Sequence, residues 1–258
     1  ILEKLRVERS IHGNHRNLVV AATGTGKTVI AALDYRDNLS TPGRYPRLLF
    51  VAHRIEILEQ SMRTYRAVLK EGSFGEILGG AYEPRNWTHV FATIQSLSRN
   101  LDRILPDQFD VVVIDEFHHA EASTYRKVLQ VLNPAELLGL TATPERADGV
   151  DVATFFDNRT AASIRLWDAL ETDLLCPFHY FGISDNTDLS ALKWVRGKYD
   201  DNVLSDYFIN NDARTAIIIE QLNNKVSDLE SMRALGFCVS VQHAQYMATA
   251  FLAAGLSS

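Results

Sequence analysis

The 258 residues contain only two cysteines, Cys176 and Cys238, far apart and outside any metal-ligand spacing. That count excludes a disulfide framework and a cysteine-type zinc site, and it predicts a reducing compartment. An H-E-x-x-H pair is also missing. No apolar run approaches the roughly 20 residues that a membrane span requires. The opening Ile1-Leu2-Glu3-Lys4-Leu5-Arg6 is too charged for a secretion signal. Together these absences predict a soluble, cytoplasmic protein with no membrane among its partners. Excess positive charge is lacking too, since the net charge is −6. The charge is uneven, however: residues 1–70 hold 12 Lys/Arg against 6 Asp/Glu, and the rest hold 14 against 26. A basic first section permits an anion-binding face, although ordinary solvated helix faces explain it equally well.

The stretch around which the chain is organised is Ala21-Ala22-Thr23-Gly24-Thr25-Gly26-Lys27-Thr28. It follows the apolar run Leu18-Val19-Val20 and precedes the helix-forming Val29-Ile30-Ala31-Ala32-Leu33. A strand, a Gly-rich turn and a helix in that order make a phosphate-binding P-loop. Gly24 and Gly26 let backbone N–H groups turn inward, and the helix N-terminus adds partial positive charge. Thr23, Gly24, Thr25, Gly26, Lys27 and Thr28 are therefore the candidate nucleotide ligands. Lys27 would face the β- and γ-phosphates of ATP, and the Thr28 hydroxyl would ligate Mg²⁺. Ala21 departs from the pattern, whose first position is Gly, and alanine tolerates most of that turn.

Strand-length apolar runs recur at Leu48–Ala52, Phe74–Leu78, His89–Thr93, Phe109–Ile114 and Leu137–Thr141, with helical periodicity between them. Uninterrupted runs suit strands buried on both faces, so the expected fold class is α/β, a layer sandwich about a mostly parallel sheet. In such folds functional residues gather at the carboxyl ends of strands. Asp115 and Glu116 stand at one such end, expected beside the P-loop strand. Asp115 would complete the Mg²⁺ shell, and Glu116 would orient or deprotonate the attacking water. The adjacent His118 and His119 lack a further Cys or His to complete a metal site. His118 is better placed as a polar link between nucleotide and neighbouring segments.

Three strings then stand in order: Ala22–Thr28, Asp115-Glu116-Phe117-His118, and Leu140-Thr141-Ala142-Thr143-Pro144-Glu145-Arg146. They resemble motifs I, II and III of superfamily 2 helicases, the second in its DExH form. Val51–Arg54 is similar to motif Ia and Phe91–Leu97 to motif Ib. The third string looks most like the branch holding restriction motor subunits and DNA repair helicases. The resemblance covers about residues 17–150. It implies a RecA-like P-loop NTPase domain and an ATP-dependent nucleic-acid helicase or translocase, with DNA favoured over RNA and the choice between them left open by the sequence. It also implies an attached nuclease or other domains outside these residues. By the same resemblance Thr141 and Thr143 couple nucleotide state to domain movement, and His53, Arg54, Thr93 and Gln95 touch the nucleic-acid backbone. An ATP-binding switch or scaffold without strand separation is the alternative.

The expected division is a first RecA-like domain over residues 1–160, a linker over 161–183, and the start of a second RecA-like domain over 184–258. Leu174–Ile183 reads as a linker passing into a strand, and Phe237–Ser240 as a strand within a string similar to motif IV. No string similar to motifs V or VI, with their arginine finger, is found. The chain therefore reads as a piece of a longer motor, and residues 1–258 alone are expected to hydrolyse ATP poorly.

Overall fold

The computed structural model describes residues 1–41, 44–117, 122–144, 152–185, 188–190, 192, 194–195, 198–209 and 211–256. The chain forms two compact units, Ile1–Phe178 and His179–Ser258.

In the first unit, helix α1 (Leu2–Ser10) precedes β1 (Arg16–Ala21), α2 (Lys27–Asp34) and β2 (Leu48–Ala52). Helix α3 (Ile55–Leu69), β3 (Glu76–Leu78), β4 (His89–Thr93), α4 (Ile94–Arg99) and β5 (Val111–Ile114) follow. The unit ends with α5 (Ala122–Val131), β6 (Glu136–Thr141), β7 (Ala162–Ile164) and α6 (Leu166–Glu171). Seven strands pair in the order β3-β4-β2-β5-β6-β1-β7, and every pairing is parallel. Alternation along each strand explains the uninterrupted apolar runs. Leu18 and Val20 join Leu49, Val51, Val112 and Ile114 in one core, while Val19 and Ala21 join Leu48, Phe50, Val111 and Val113 in the other. A strand with a core on each side has no face to give to polar residues. Gly139 interrupts β6 for a local reason: a Cβ there would run into the Phe156 ring.

Buried charge fixes α1 to this sheet. The Arg9 guanidinium donates to both Asp34 carboxylate oxygens at 2.8 and 2.7 Å and, through Nε, to Glu136 at 2.7 Å. A carboxylate as buried as Asp34 is tolerated only with such a partner.

Three sequence expectations change here. β5 does not lie beside β1, because β6 is inserted between them. Residues 161–183 do not form a linker from their start: β7 pairs with β1 through Val19↔Ala162 to Ala21↔Ile164, and the first unit continues to Phe178. Leu174–Ile183 also makes no strand.

In the second unit a short antiparallel pair, β8 (Trp194–Val195) and β9 (Lys198–Tyr199), precedes α7 (Asp201–Ile209), α8 (Asp212–Lys225) and α9 (Val241–Ala253). Ser240 caps α9 by accepting the His243 N–H at 3.0 Å, and Gly255, at φ +81°, ends it. The strand expected at Phe237–Ser240 is absent. The Val239 N–H donates to His243 Nδ1 at 3.5 Å, and among the described residues of this unit only β8 and β9 form a ladder. The short elements β8, β9 and α7 all lie between Ser184 and Asp212. Among the described residues, no helix is long and apolar enough to cross a membrane.

Candidate nucleotide-binding site

β1 delivers the chain to the carboxyl edge of the sheet at Ala21. Its hold extends one residue further, because the Ala22 N–H donates to Ile164 O of β7 at 2.9 Å. The loop then turns through Gly24 at φ +89° and Gly26 at φ +81°. Both lie in the left-handed region that favours glycine. Ala21 is still strand, which is why glycine is dispensable at the first place of the pattern. Thr25 closes the turn, its N–H and hydroxyl both donating to Ala22 O at 3.3 and 2.7 Å. Helix α2 begins at Lys27 with no acidic residue in its first turn, so no side chain there competes with an anion. Thr28 lies half-buried in that turn, and Thr23 is exposed on the loop.

Lys27 is buried, with Nζ donating to Ala21 O at 3.4 Å and lying 3.2 Å from Glu116 Oε1. This contact joins the P-loop to the end of β5, across the intervening end of β6. Glu116 reaches it from a left-handed backbone at φ +49°. For a residue with a side chain such a conformation costs of order 1 kcal/mol or more, and it turns the chain sharply after β5. Asp115 is 4% exposed, its N–H held by Val51 O at 2.8 Å and its Oδ1 accepting the Glu116 N–H at 2.9 Å. Burial first, and then the Glu116 charge, push the Asp115 carboxyl up to about 6, with Lys27 and the Glu116 N–H acting in the opposite direction. Two carboxylates with one ammonium form a donor set suited to a further cation. The residues present therefore fit a nucleotide phosphate with Mg²⁺.

Thr141, fully buried at the end of β6, pairs with Val20 of β1. Its hydroxyl donates to Thr143 O at 3.1 Å and accepts the Thr143 N–H at 3.3 Å. His118 and His119 lie outside the described residues, as does the string from Glu145 onward. The four nucleic-acid candidates come together elsewhere on the same edge. Ala52 pairs with Thr93, so His53 and Arg54 after β2 stand next to Thr93 and Gln95 at the end of β4. Arg54 and Gln95 are exposed, and His53 is half-buried. Thr93 is 8% exposed and its Oγ1 accepts the Ser96 N–H at 3.2 Å, which caps α4. The hydroxyl thus has a structural task of its own. Nucleotide and metal candidates occupy the ends of β1 and β5, the coupling candidates Thr141 and Thr143 that of β6 between them, and nucleic-acid candidates those of β2 and β4.

Sequence reading missed Ile164, which anchors the P-loop backbone, and Leu175, whose Cδ2 lies 3.1 Å from the place of a Cβ on Gly24. Neither carries a motif; each is found only from the pairing of β7 and the turn after α6.

Comparison with known proteins identifies relatives and a family. The chain is 27% identical over 271 residues to the Type I restriction enzyme EcoAI endonuclease subunit of Escherichia coli, covering 95% of this chain and 32% of that protein. It is 25% identical over 259 residues to IRC3 of Saccharomyces cerevisiae, a candidate ATP-dependent helicase, covering 95% of this chain and 37% of that protein. The chain thus spans about a third of the length of these relatives. Among solved structures, a fragment of a candidate HsdR subunit of a type I restriction enzyme from Vibrio vulnificus superposes with a TM-score of 0.62. It is 22% identical, covering 98% of this chain and 44% of that one. The type ISP restriction-modification enzyme LlaGI, solved as a nuclease-deletion mutant with a DNA substrate mimic, gives a TM-score of 0.52 at 16% identity, covering 96% of this chain and 25% of that one. The fold shared with these restriction enzymes is the RecA-like α/β fold. The family described as "Type III restriction enzyme, res subunit" matches residues 1–146, more than half of the chain, and this protein belongs to that family.

Proposed function

We propose that this chain is the ATP-binding portion of a DNA translocase or helicase. The observation that carries the reading is the 3.2 Å contact of Lys27 with Glu116, beside buried Asp115. It gathers at one strand edge a cation for phosphate, a carboxylate for metal and a carboxylate for water. In this reading the backbone of Thr23–Gly26 and the first turn of α2 cradle the phosphates, and Lys27 orients the β- and γ-phosphates. Thr28 and Asp115 hold Mg²⁺, which neutralises charge on the phosphate oxygens. Glu116 accepts a proton from the attacking water, and Thr141 and Thr143 follow the state of the nucleotide. His53, Arg54 and Gln95 face the nucleic-acid backbone, and such contacts carry no sequence information. DNA is favoured by two relatives, the EcoAI endonuclease subunit and LlaGI, the latter solved with a DNA mimic. An attached nuclease fits the same relatives.

The test is calorimetric and kinetic, on the full-length protein. Lys27→Ala should weaken ATP binding more than about tenfold, because charged hydrogen bonds contribute about 1.5–3 kcal/mol. Glu116→Gln should bind ATP nearly as the parent does and lose DNA-stimulated turnover by about 10²-fold or more. Unchanged ATP affinity in Lys27→Ala would sink the assignment. ATP binding without any DNA-stimulated turnover in the parent would favour a switch over a motor.

A further inference from the structure

The segment after β7 touches the P-loop at two separate points. Ile164 O holds the Ala22 N–H at 2.9 Å. The chain then passes through α6, and the Leu174 and Leu175 N–H groups both return to Ala169 O, at 2.9 and 3.0 Å. This tight turn aims the Leu175 side chain at Gly24, with Cδ2 3.1 Å from where a Cβ on that glycine would stand. Leu175 is half-buried although Leu174 and Cys176 on either side are exposed. Three residues after Leu175 the first unit ends, and the second begins at His179.

Gly24 is the apex of the turn that Thr25 closes on Ala22 O, the turn a phosphate would have to open. A loop that cradles phosphate directs its N–H groups and its lysine at the anion. In the structure the Thr25 N–H instead meets Ala22 O, and Lys27 meets Ala21 O and Glu116. A phosphate that drew these donors to itself would shift Gly24 relative to Leu175.

We propose that Leu175 is a positioning residue that couples the P-loop to the segment leading into the second unit: nucleotide binding moves Gly24 and thereby unseats residues 174–178. This rests on the ATP-binding reading above. Cys176, exposed and next to Leu175, provides the reporter, with Cys238 and every cysteine outside residues 1–258 replaced by serine so that it is the single thiol. In this single-thiol full-length protein, saturating MgATP should change the rate at which a chromogenic disulfide modifies Cys176 by about fivefold or more, the size expected of a coupling near 1 kcal/mol. Adding Leu175→Ala should leave ATP affinity within about threefold of the parent and abolish the nucleotide response, whereas Leu175→Met should restore it. A Cys176 rate indifferent to MgATP, in protein shown by calorimetry to bind it, overturns the proposal and leaves the ATP-binding reading standing. A response that persists in Leu175→Ala also overturns it, since it would reflect direct shielding by nucleotide. Absence of ATP binding in the parent overturns both.

Discussion

Apolar runs of similar composition meet different fates in the two units. Leu48–Ala52 and Val111–Ile114 of the first are at most 3% exposed, each paired on both sides within the parallel sheet. Tyr180-Phe181-Gly182-Ile183 and Gly236-Phe237-Cys238-Val239 of the second are as rich in aromatic and β-branched residues. They run without ladder partners among the described residues, Tyr180 at 85% and Phe237 at 94% exposure. Composition therefore makes a segment eligible to be a strand but does not make it one. Neighbouring strands in register must take up its N–H and C=O groups, and helices must cover both faces.

The sharpest way to break that comparison is truncation of one phenylalanine in each unit. Phe50, in the centre of β2, is fully buried against Tyr65 and Phe91, with ring centroids at 5.8 and 5.4 Å. Phe50→Ala should cost about 3–5 kcal/mol, and Phe237→Ala should stay within about 0.5 kcal/mol. Urea unfolding followed by tryptophan fluorescence checks both. A comparable loss in Phe237→Ala would show that its segment is covered in solution.

Ion pairs offer a second contrast, of somewhat smaller expected size. Arg9→Ala would leave Asp34, 1% exposed, without its bidentate partner, a loss expected to be about 3 kcal/mol. Arg214 of the second unit also pairs with a carboxylate, that of Asp185, and its guanidinium lies 4.5 Å from the Phe208 ring centroid. It is 34% exposed, and Arg214→Ala should cost about 1 kcal/mol or less. Equal losses by thermal melting would mean that the second unit is as tightly enclosed as the first.

What was legible in the sequence was local. Gly24, Gly26 and Lys27 announce themselves because a left-handed turn before a helix needs those residue types within a few positions. The strands of the first unit were legible as uninterrupted runs because both of their faces are buried. Their order was not: nothing in Val111–Ile114 says that β6 separates it from β1, so the meeting of Lys27 with Glu116 follows from topology rather than adjacency. The Arg9–Glu136 contact spans 127 positions and carries no periodic signal. Thr93 shows the reverse difficulty, since a residue matched to a nucleic-acid motif also caps α4. The short β7 escaped because Ala162-Ser163-Ile164 is only three residues long with a serine at its centre, and its pairing with β1 comes from the sheet.

Asp115 gives the smallest of the expected effects and bears on what the first unit gives up to keep its site. Its carboxyl is pushed up to about 6 by burial and by Glu116. A carboxyl so raised binds its proton more tightly folded than unfolded. Its contribution to stability is complete below about pH 4, falls as pH rises toward 6, and is lost above that. Without divalent cations, Asp115→Asn should therefore be more stable than the parent at pH 8, by about 1–3 kcal/mol. The two proteins should converge near pH 4, where the parent carboxyl is neutral. Mg²⁺ should then raise the melting temperature of the parent at pH 8 and leave that of Asp115→Asn almost unmoved, because binding to the folded state alone stabilises it. A variant less stable than the parent at pH 8 in the presence of chelator would show that the protein's own donors already satisfy the Asp115 charge. That result would remove the physical reason for expecting a cation at the end of β5, while leaving the contrast between the two units untouched.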